Sequence, residues 1–364
     1  MNFQGAHGKH FGLAAAATLA LGLTTVTGGT AAFAAPAAGP TATLRQGTLT
    51  VTGTAARDVV EVTIDADQIV VDFGFDGTVD AQFKRSRVQQ VNLLGGEGDD
   101  GLTVEGSGVG DLPITLSGGP GKDGGGVVSF GDPFFAGTAP VTILGDDGND
   151  NFIAAVPGPV TVDTGAGDDL LGIEESDQAT ISLGDGNDKL ISSLRVAGFR
   201  RSDTVDGGTG QDTMQMEGTF ASETVSLSAN AGHLIVNQDQ IDADNIEDVT
   251  WFGFGGNEEG LGDGVTVNDL SGTDVVNFTP NFSAPSDGTL PNNSPDQLRV
   301  VGTPGVDHIT VSGSGANITV AGLSPTVTPV LLDSQDTLRI DTLDGADIVD
   351  SHNLERGLVQ LQVF

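Results

Sequence analysis

Val160-Thr161-Val162 leads into Thr164-Gly165-Ala166-Gly167-Asp168-Asp169, and Ile181-Ser182-Leu183 leads into Gly184-Asp185-Gly186-Asn187-Asp188. The two closing aspartates are 19 residues apart. A short run of alternating apolar residues is a half-buried strand, and a Gly-rich, Asp-closed hexapeptide is a turn. A strand and a turn recurring at a fixed interval mean stacked coils, each burying its apolar residues against its neighbours.

Working outward, the same turn occurs as Gly95-Gly96-Glu97-Gly98-Asp99-Asp100, Gly118-Gly119-Pro120-Gly121-Lys122-Asp123, Gly145-Asp146-Asp147-Gly148-Asn149-Asp150 and Gly207-Gly208-Thr209-Gly210-Gln211-Asp212. All six copies share Gly-x-Asp. Triplets such as Val91-Asn92-Leu93, Ile114-Thr115-Leu116 and Val141-Thr142-Ile143 precede them, and the sixth has only Thr204-Val205. An apolar residue stands two places after the closing Asp (Leu102, Phe152, Leu171, Leu190, Met214), except in the second copy, which has Gly125. The closing aspartates at 100, 123, 150, 169, 188 and 212 are separated by 23, 27, 19, 19 and 24 residues. At about 3.3 Å per residue, 19 residues make a perimeter of roughly 60 Å, room for two or three short strands per coil, with successive coils about 4.8 Å apart. The expected fold is all-β: a right-handed parallel β-helix or β-roll-like solenoid flanked by further β modules. The longer intervals contain insertions, 131–140 and 195–202, expected as surface loops.

A longer pattern also repeats. Gly53-Thr54, Gly218-Thr219 and Gly302-Thr303 are each followed, five residues after the Gly, by an acid (Asp58, Glu223, Asp307) and then by two strand-like runs. This divides the chain into an N-terminal β module at 42–90, the Gly-Asp repeats at 91–217, a second β module at 218–278, a Pro-rich linker at 279–297 and a C-terminal β module at 298–364. The second module leads to a degenerate turn at 251–257, and the third to a weaker Gly-Asp turn, Asp344-Gly345-Ala346-Asp347. Trp251, with Phe252 and Phe254, is expected in core packing or as a cap between modules.

Charge narrows the function. The chain has 14 Lys and Arg against 50 Asp and Glu, and no cysteine. Nucleic acid and anionic lipid are poor partners for such a surface. Disulfides, thiolate metal sites and cysteine nucleophiles are excluded. Residues 1–34 read as an export signal: a weakly positive start with Lys9, an apolar stretch Leu13–Leu23, and Ala32-Phe33-Ala34 as a cleavage site. Residues 35–41 form a linker, and the mature chain, with 13 bases against 50 acids, carries −37. The expected location is outside the cell, with no membrane span.

Stacking places Asp150, Asp169 and Asp188 in one column. Two carboxylates about 5 Å apart repel by about 0.8 kcal/mol in water and about 3 kcal/mol at an effective dielectric near 20. Asp146, Asp147, Asp168 and Asp185 add to this, and almost no base offsets it. A hard dication does. Carboxylate and carbonyl oxygens from successive turns suit calcium, which takes 6–8 oxygen ligands, better than octahedral magnesium. Zinc and copper would want His or Cys, and His233, His308 and His352 are scattered.

These turns resemble the hemolysin-type (RTX) calcium-binding repeats, Gly-Gly-x-Gly-x-Asp-x-apolar-x, clearly over 93–214 and weakly over 341–349. The longer modules resemble those of bacterial secreted calcium-binding proteins. The resemblance implies calcium held between consecutive turns by Asp100, Asp123, Asp150, Asp169, Asp188 and Asp212. Backbone ligands would come from turn glycines such as Gly148, Gly167 and Gly186. Family repeats run back to back as nonapeptides; here one turn occurs per coil, so one column of sites is expected. Among the six, the evenly spaced Asp150, Asp169 and Asp188 are favoured and Asp123, which lacks the following apolar residue, least.

Three other functions compete: a calcium-independent structural solenoid, a polysaccharide-binding surface protein, and a β-helix polysaccharide lyase. A lyase needs a base beside the metal, yet the chain has no Tyr and no His near the repeats. It also lacks His-Glu-x-x-His and Gly-x-Ser-x-Gly, so no enzyme is expected. Lys84-Arg85-Ser86-Arg87 and Arg200-Arg201 are the basic clusters that could meet an acidic polysaccharide, and Phe134-Phe135 is a candidate sticky loop tip. The expected role is structural or adhesive, with a cell-surface or matrix polysaccharide or protein as partner.

Overall fold

The computed structural model describes residues 39–130, 138–174, 176, 178–193, 202–219, 221–237, 240–253, 262–283, 290–292 and 294–364. The expected export signal at 1–34, residues 35–38 of the expected linker, Phe134-Phe135 and the rest of 131–137, Arg200-Arg201 within 194–201, residues 254–257 of the expected degenerate turn and parts of the expected Pro-rich linker lie outside the described residues.

The chain is all-β, as its alternation predicts. Among the described residues, thirty strands form two long, mixed, mostly parallel sheets of fifteen strands each, with one short 3-10 turn at Arg85–Arg87. From Gln90 to Glu217 consecutive strands go to opposite sheets. The first sheet takes Gln90–Leu94, Ile114–Ser117, Val141–Leu144, Pro159–Asp163, Gln178–Ser182 and Asp203–Asp206. The second takes Gly101–Gly106, Gly124–Ser129, Asn151–Ala155, Leu170–Glu174, Lys189–Ser193 and Thr213–Glu217. Each pairs in parallel with the next of its sheet, so Ile143, Val162, Ile181 and Val205 share one row and Phe152, Leu171, Leu190 and Met214 another.

Period-two burial explains the strand composition. The apolar rows are buried between the sheets. On the outer face of the first sheet, Thr115, Thr142, Thr161, Thr180 and Thr204 stand in register. β-branched threonine suits a pleated, half-exposed surface.

The turns joining the sheets are themselves knitted together. Asp147, Ala166, Asp185 and Thr209 bridge in succession, in parallel. The glycine two residues before each closing aspartate lies so close to the turn before it that no side chain fits. A Cβ on Gly148 would fall 1.5 Å from the carbonyl oxygen of Gly121, and one on Gly167 would fall 1.8 Å from that of Gly148, at φ values of +149° and +144°. Gly125, the exception in the apolar row, has the same cause. It pairs with Leu102 and Phe152, and its Cβ would meet the Leu102 carbonyl at 1.9 Å.

The three Gly-Thr patterns each open an antiparallel hairpin: Val59–Ile64 with Gln68–Phe73, Thr224–Asn230 with His233–Val236, and His308–Ser314 with Asn317–Ala321. All three belong to the same two sheets as the repeats. Trp251 is fully buried, edge-on to Phe282 at 5.6 Å between centroids. Thr41–Arg45 and Ala81–Lys84 are the outermost strands at the N-terminal end; Ile348–Asp350 and Gln360–Val363 are outermost at the C-terminal end.

Candidate metal centre

Each closing aspartate is the last residue before a strand of the second sheet, and its side chain is buried rather than turned to solvent. Asp100, Asp123, Asp150, Asp169, Asp188 and Asp212 are at most 4% exposed. One oxygen of each carboxylate accepts a backbone N–H from the coil before. The N–H of Asp100 donates to Asp123 Oδ1 at 2.7 Å, and that of Asp123 to Asp150 Oδ1 at 2.7 Å. The ladder continues from Asp150 to Asp169 (2.7 Å), Asp169 to Asp188 (2.8 Å) and Asp188 to Asp212 (2.8 Å). It is longer than the six repeats. Asp58 N–H donates to Asp100 Oδ1 and Asp212 N–H to Glu247 Oε2, both at 2.7 Å. The structure therefore brings all six expected aspartates into one column, Asp123 included, and adds a member at each end.

The other oxygen, Oδ2, makes no hydrogen bond in any of the six and is fully buried. It faces the first residue of its own turn, five positions earlier. At Gly95 the space a Cβ would fill lies 2.4 Å from Asp100 Oδ2 and 2.4 Å from the Gly118 carbonyl oxygen of the next coil. At Gly145 it lies 2.6 Å from Asp150 Oδ2 and 2.2 Å from the Thr164 carbonyl, and at Gly207 2.8 Å from Asp212 Oδ2 and 1.8 Å from the Asn245 carbonyl. A carboxylate oxygen and a carbonyl oxygen thus converge where glycine leaves a notch. In the coils of Asp169 and Asp188 that position holds Thr164 and Leu183, both fully buried.

Burial raises these carboxyls, since a low-dielectric setting penalises the charged form. It pushes Asp150 and Asp188 up to about 7 and Asp123 to about 6, against the partial offset of the donated N–H and with a further rise from neighbouring carboxylates. Asp100, Asp169 and Asp212 move in the same direction for the same first cause.

Gly148, Gly167 and Gly186 have a different role from the aspartates. Their N–H groups donate to Ala166, Asp185 and Thr209 carbonyls at 2.7–2.8 Å. The carbonyl oxygens of Gly148 and Gly167 abut the next glycine of the stack, and that of Gly186 abuts Gly210. The carbonyls that converge on the carboxylates belong instead to the first turn residues, Gly118 and Thr164.

A second column, invisible to the Gly-x-Asp motif, precedes strands of the first sheet. Glu223 N–H donates to Asp263 Oδ1 (2.8 Å), Asp263 to Asp296 (2.7 Å) and Asp296 to Asp336 (2.8 Å). Glu223 Oε2 and Asp263 Oδ2 are orphaned like the six, whereas Asp296 Oδ2 accepts from Asn292 Nδ2 and Asp336 Oδ2 from the Asp333 N–H. Asp307 N–H donates to Asp347 Oδ1 at 2.9 Å, giving the weak seventh turn the same function. The signal that would have found the second column is an acid two residues before the first buried residue of a strand, as in Glu223-Thr-Val225, Asp263-Gly-Val265, Asp296-Gln-Leu298 and Asp336-Thr-Leu338.

The first column offers a cation only oxygen donors, which suits a hard ion and excludes thiolate or imidazole ligation. The six buried Oδ2 atoms without a hydrogen-bond partner are the oxygens such an ion would take. Among the described residues no group of three or more His, Cys, Asp or Glu could hold a metal together. The acids Asp99, Asp168 and Asp185 face outward and are engaged by Lys122 N–H, Asn187 N–H and Thr209 Oγ1. His233 pairs with Asp242 at 2.8 Å, away from the column. No helix of the described residues is long and apolar enough to cross a membrane. No protein-family model, curated protein or solved structure matches this chain.

Proposed function

We propose that the chain is a secreted β-helical scaffold, coiled as a right-handed parallel β-helix or β-roll-like solenoid, that takes up calcium along its buried aspartate column and serves a structural or adhesive role. One observation carries the reading: six stacked, buried carboxylates each keep one oxygen without a partner. A buried carboxylate left unpaired is costly, and two remedies exist, a proton or a cation. Asp100, Asp123, Asp150, Asp169, Asp188 and Asp212 would hold the ion through Oδ2 while Oδ1 stays on the ladder, with first-turn carbonyls such as Gly118 and Thr164 beside them. A bound dication supplies the positive charge that this very acidic chain lacks. The resemblance of the turns to hemolysin-type repeats, and the alternation of strands between two sheets, support the same reading. No catalytic role is proposed.

The second reading is a calcium-independent scaffold, favoured by the ladder itself. The N–H to Oδ1 bonds account for an aspartate in every coil, and protonation accounts for Oδ2. A polysaccharide partner belongs with that reading, through the threonine row on the first sheet. Circular dichroism and calorimetry of the chelated protein during a calcium titration, with magnesium as control, separate the two. Calcium-specific heat and a cooperative gain in β signal or melting temperature support the first. A folded protein indifferent to calcium overturns it and leaves the scaffold alone.

A further inference from the structure

We propose that Glu223 and Asp263 hold a calcium ion of their own, away from the Gly-Asp turns and beside Trp251. This site does not require the first column to bind anything. Among the described residues eleven buried side-chain nitrogen or oxygen atoms lack a hydrogen-bond partner, and six of them are the Oδ2 atoms of the first column. The other five are Glu223 Oε2, Trp251 Nε1, Asp263 Oδ2, Asn281 Oδ1 and Ser283 Oγ. All five belong to one place, where the strands Thr213–Glu217, Asp248–Phe252 and Asn277–Asn281 of the second sheet end and the chain returns to the first sheet. Contacts tie these levels together. Gly218 N–H donates to the Phe252 carbonyl at 2.8 Å and Gly253 N–H to the Asn281 carbonyl at 3.0 Å. Trp251 meets Phe282, which lies between Asn281 and Ser283 in sequence.

Glu223 Oε2 lies beside Gly218, and Asp263 Oδ2 lies beside Gly253, 2.6 Å from where a Cβ would stand. These glycines follow Glu217 and Phe252, which pair in register on neighbouring strands. The two free oxygens are therefore about one strand spacing apart, roughly 4.8 Å. Calcium bonds oxygen at about 2.3–2.6 Å, so an ion bridging the pair needs about 4.6–5.2 Å; magnesium, at about 2.0–2.1 Å, needs a closer pair. The second oxygen of each carboxylate stays engaged: Glu223 Oε1 accepts from Thr219 N–H at 2.6 Å, and Asp263 Oδ1 from Glu223 N–H at 2.8 Å.

Asp263 is 2% exposed, so water does not reach its charge, and a buried charge left unpaired is costly. The indole edge of Trp251 also stands at Gly253, and its buried N–H suits a water bound to the ion. Asp296 and Asp336 continue the same ladder and supply the contrast. Their Oδ2 atoms already accept from Asn292 Nδ2 and Asp333 N–H, so they stand outside the site.

Terbium, a hard oxygen-seeking ion that takes the place of calcium, tests the site in the full chain. Trp251 is the only tryptophan and the chain has no tyrosine, so terbium emission excited through the indole reports an ion at this corner. The first column ends at Asp212 and Glu247, and Glu247 is four residues from Trp251 along extended chain, about 13 Å. The wild type is expected to give sensitised emission that calcium displaces. Asp263→Asn and Glu223→Gln keep an oxygen for each accepted N–H and should abolish the signal, with the blue-shifted emission of Trp251 itself reporting that they fold. Asp169→Asn and Asp296→Asn should retain it. A wild type without sensitised emission, which needs no variant to fold, overturns the proposal, as do folded Asp263→Asn and Glu223→Gln proteins that keep it. If calorimetry still records calcium binding to a wild type without that emission, the first column stands alone; if it records none, both sites fall.

Discussion

The backbone N–H of Asp150 donates to Oδ1 of Asp169 at 2.7 Å, joining residues 19 apart in sequence on successive repeats. The closing aspartate is therefore a structural connector between coils before it is anything else. Replacing Asp169 with alanine strands a buried N–H, which costs about 1–3 kcal/mol. Asp169→Asn keeps the accepting oxygen and removes the buried charge. Its loss should be smaller than that of alanine, and in chelator at pH 8 its stability should approach or exceed the wild type. Urea midpoints of the three proteins check the order.

Glycine substitutions should divide by neighbourhood. A Cβ on Gly167 meets the Gly148 carbonyl at 1.8 Å, at a φ of +144°. Gly167→Ala is expected to cost several kcal/mol, from backbone strain and overpacking together. Gly77 also has positive φ, +83°, but has nothing within 4 Å. Gly77→Ala should cost about 1–2 kcal/mol. Soluble yield and thermal midpoint distinguish them.

The aspartate columns give stability an unusual pH dependence. Asp150, Asp188, Asp296 and Asp336 are raised from 3.8 to about 7, and Asp123 and Asp263 to about 6, first by burial. A carboxyl raised on folding binds its proton more tightly in the native state. Its contribution is fully present below the ordinary value and is lost as pH rises through 6 to 7. In chelator, the melting temperature should fall by several degrees between pH 5 and pH 8. Calcium held by ionised carboxylates would flatten or reverse that slope. A slope unchanged by calcium would count against the metal.

Trp251 is the only tryptophan, fully buried, with Nε1 unpartnered. Its emission should be blue-shifted in the native protein and move red on unfolding. Trp251→Ala is expected to cost about 3–5 kcal/mol. Trp251→Phe should cost less than about 1.5 kcal/mol, since it removes an unsatisfied donor and retains the aromatic contact with Phe282.

The strands and the first column were legible because both depend on local patterns: alternation in Val141-Thr142-Ile143, and a tight turn that only glycine can make. The alignment of the six aspartates followed from their spacing. The inward path of each carboxylate did not, because whether Asp150 points at solvent or under its own turn depends on a neighbouring coil. The second column was missed for a related reason. Asp296 and Asp336 occupy the same place before a strand without the glycines that advertise the turn, and Asp263 follows Gly262 directly rather than in Gly-x-Asp. The close stacking of Gly148, Gly167 and Gly186 is a packing fact that no single turn contains.

Because every ladder bond reaches only to the next coil, the repeat block is modular in length. The 19 residues from Leu170 to Asp188 make one repeat, a strand in each sheet and one Gly-Asp turn. If they were excised, the N–H of Asp169 would face Asp212, an acceptor equivalent to the Asp188 it has lost. A gene encoding such a protein can gain or lose whole circuits by in-frame duplication and deletion while every junction remains chemically the same. The length of the stack is free to drift or to be selected, and the turn is not.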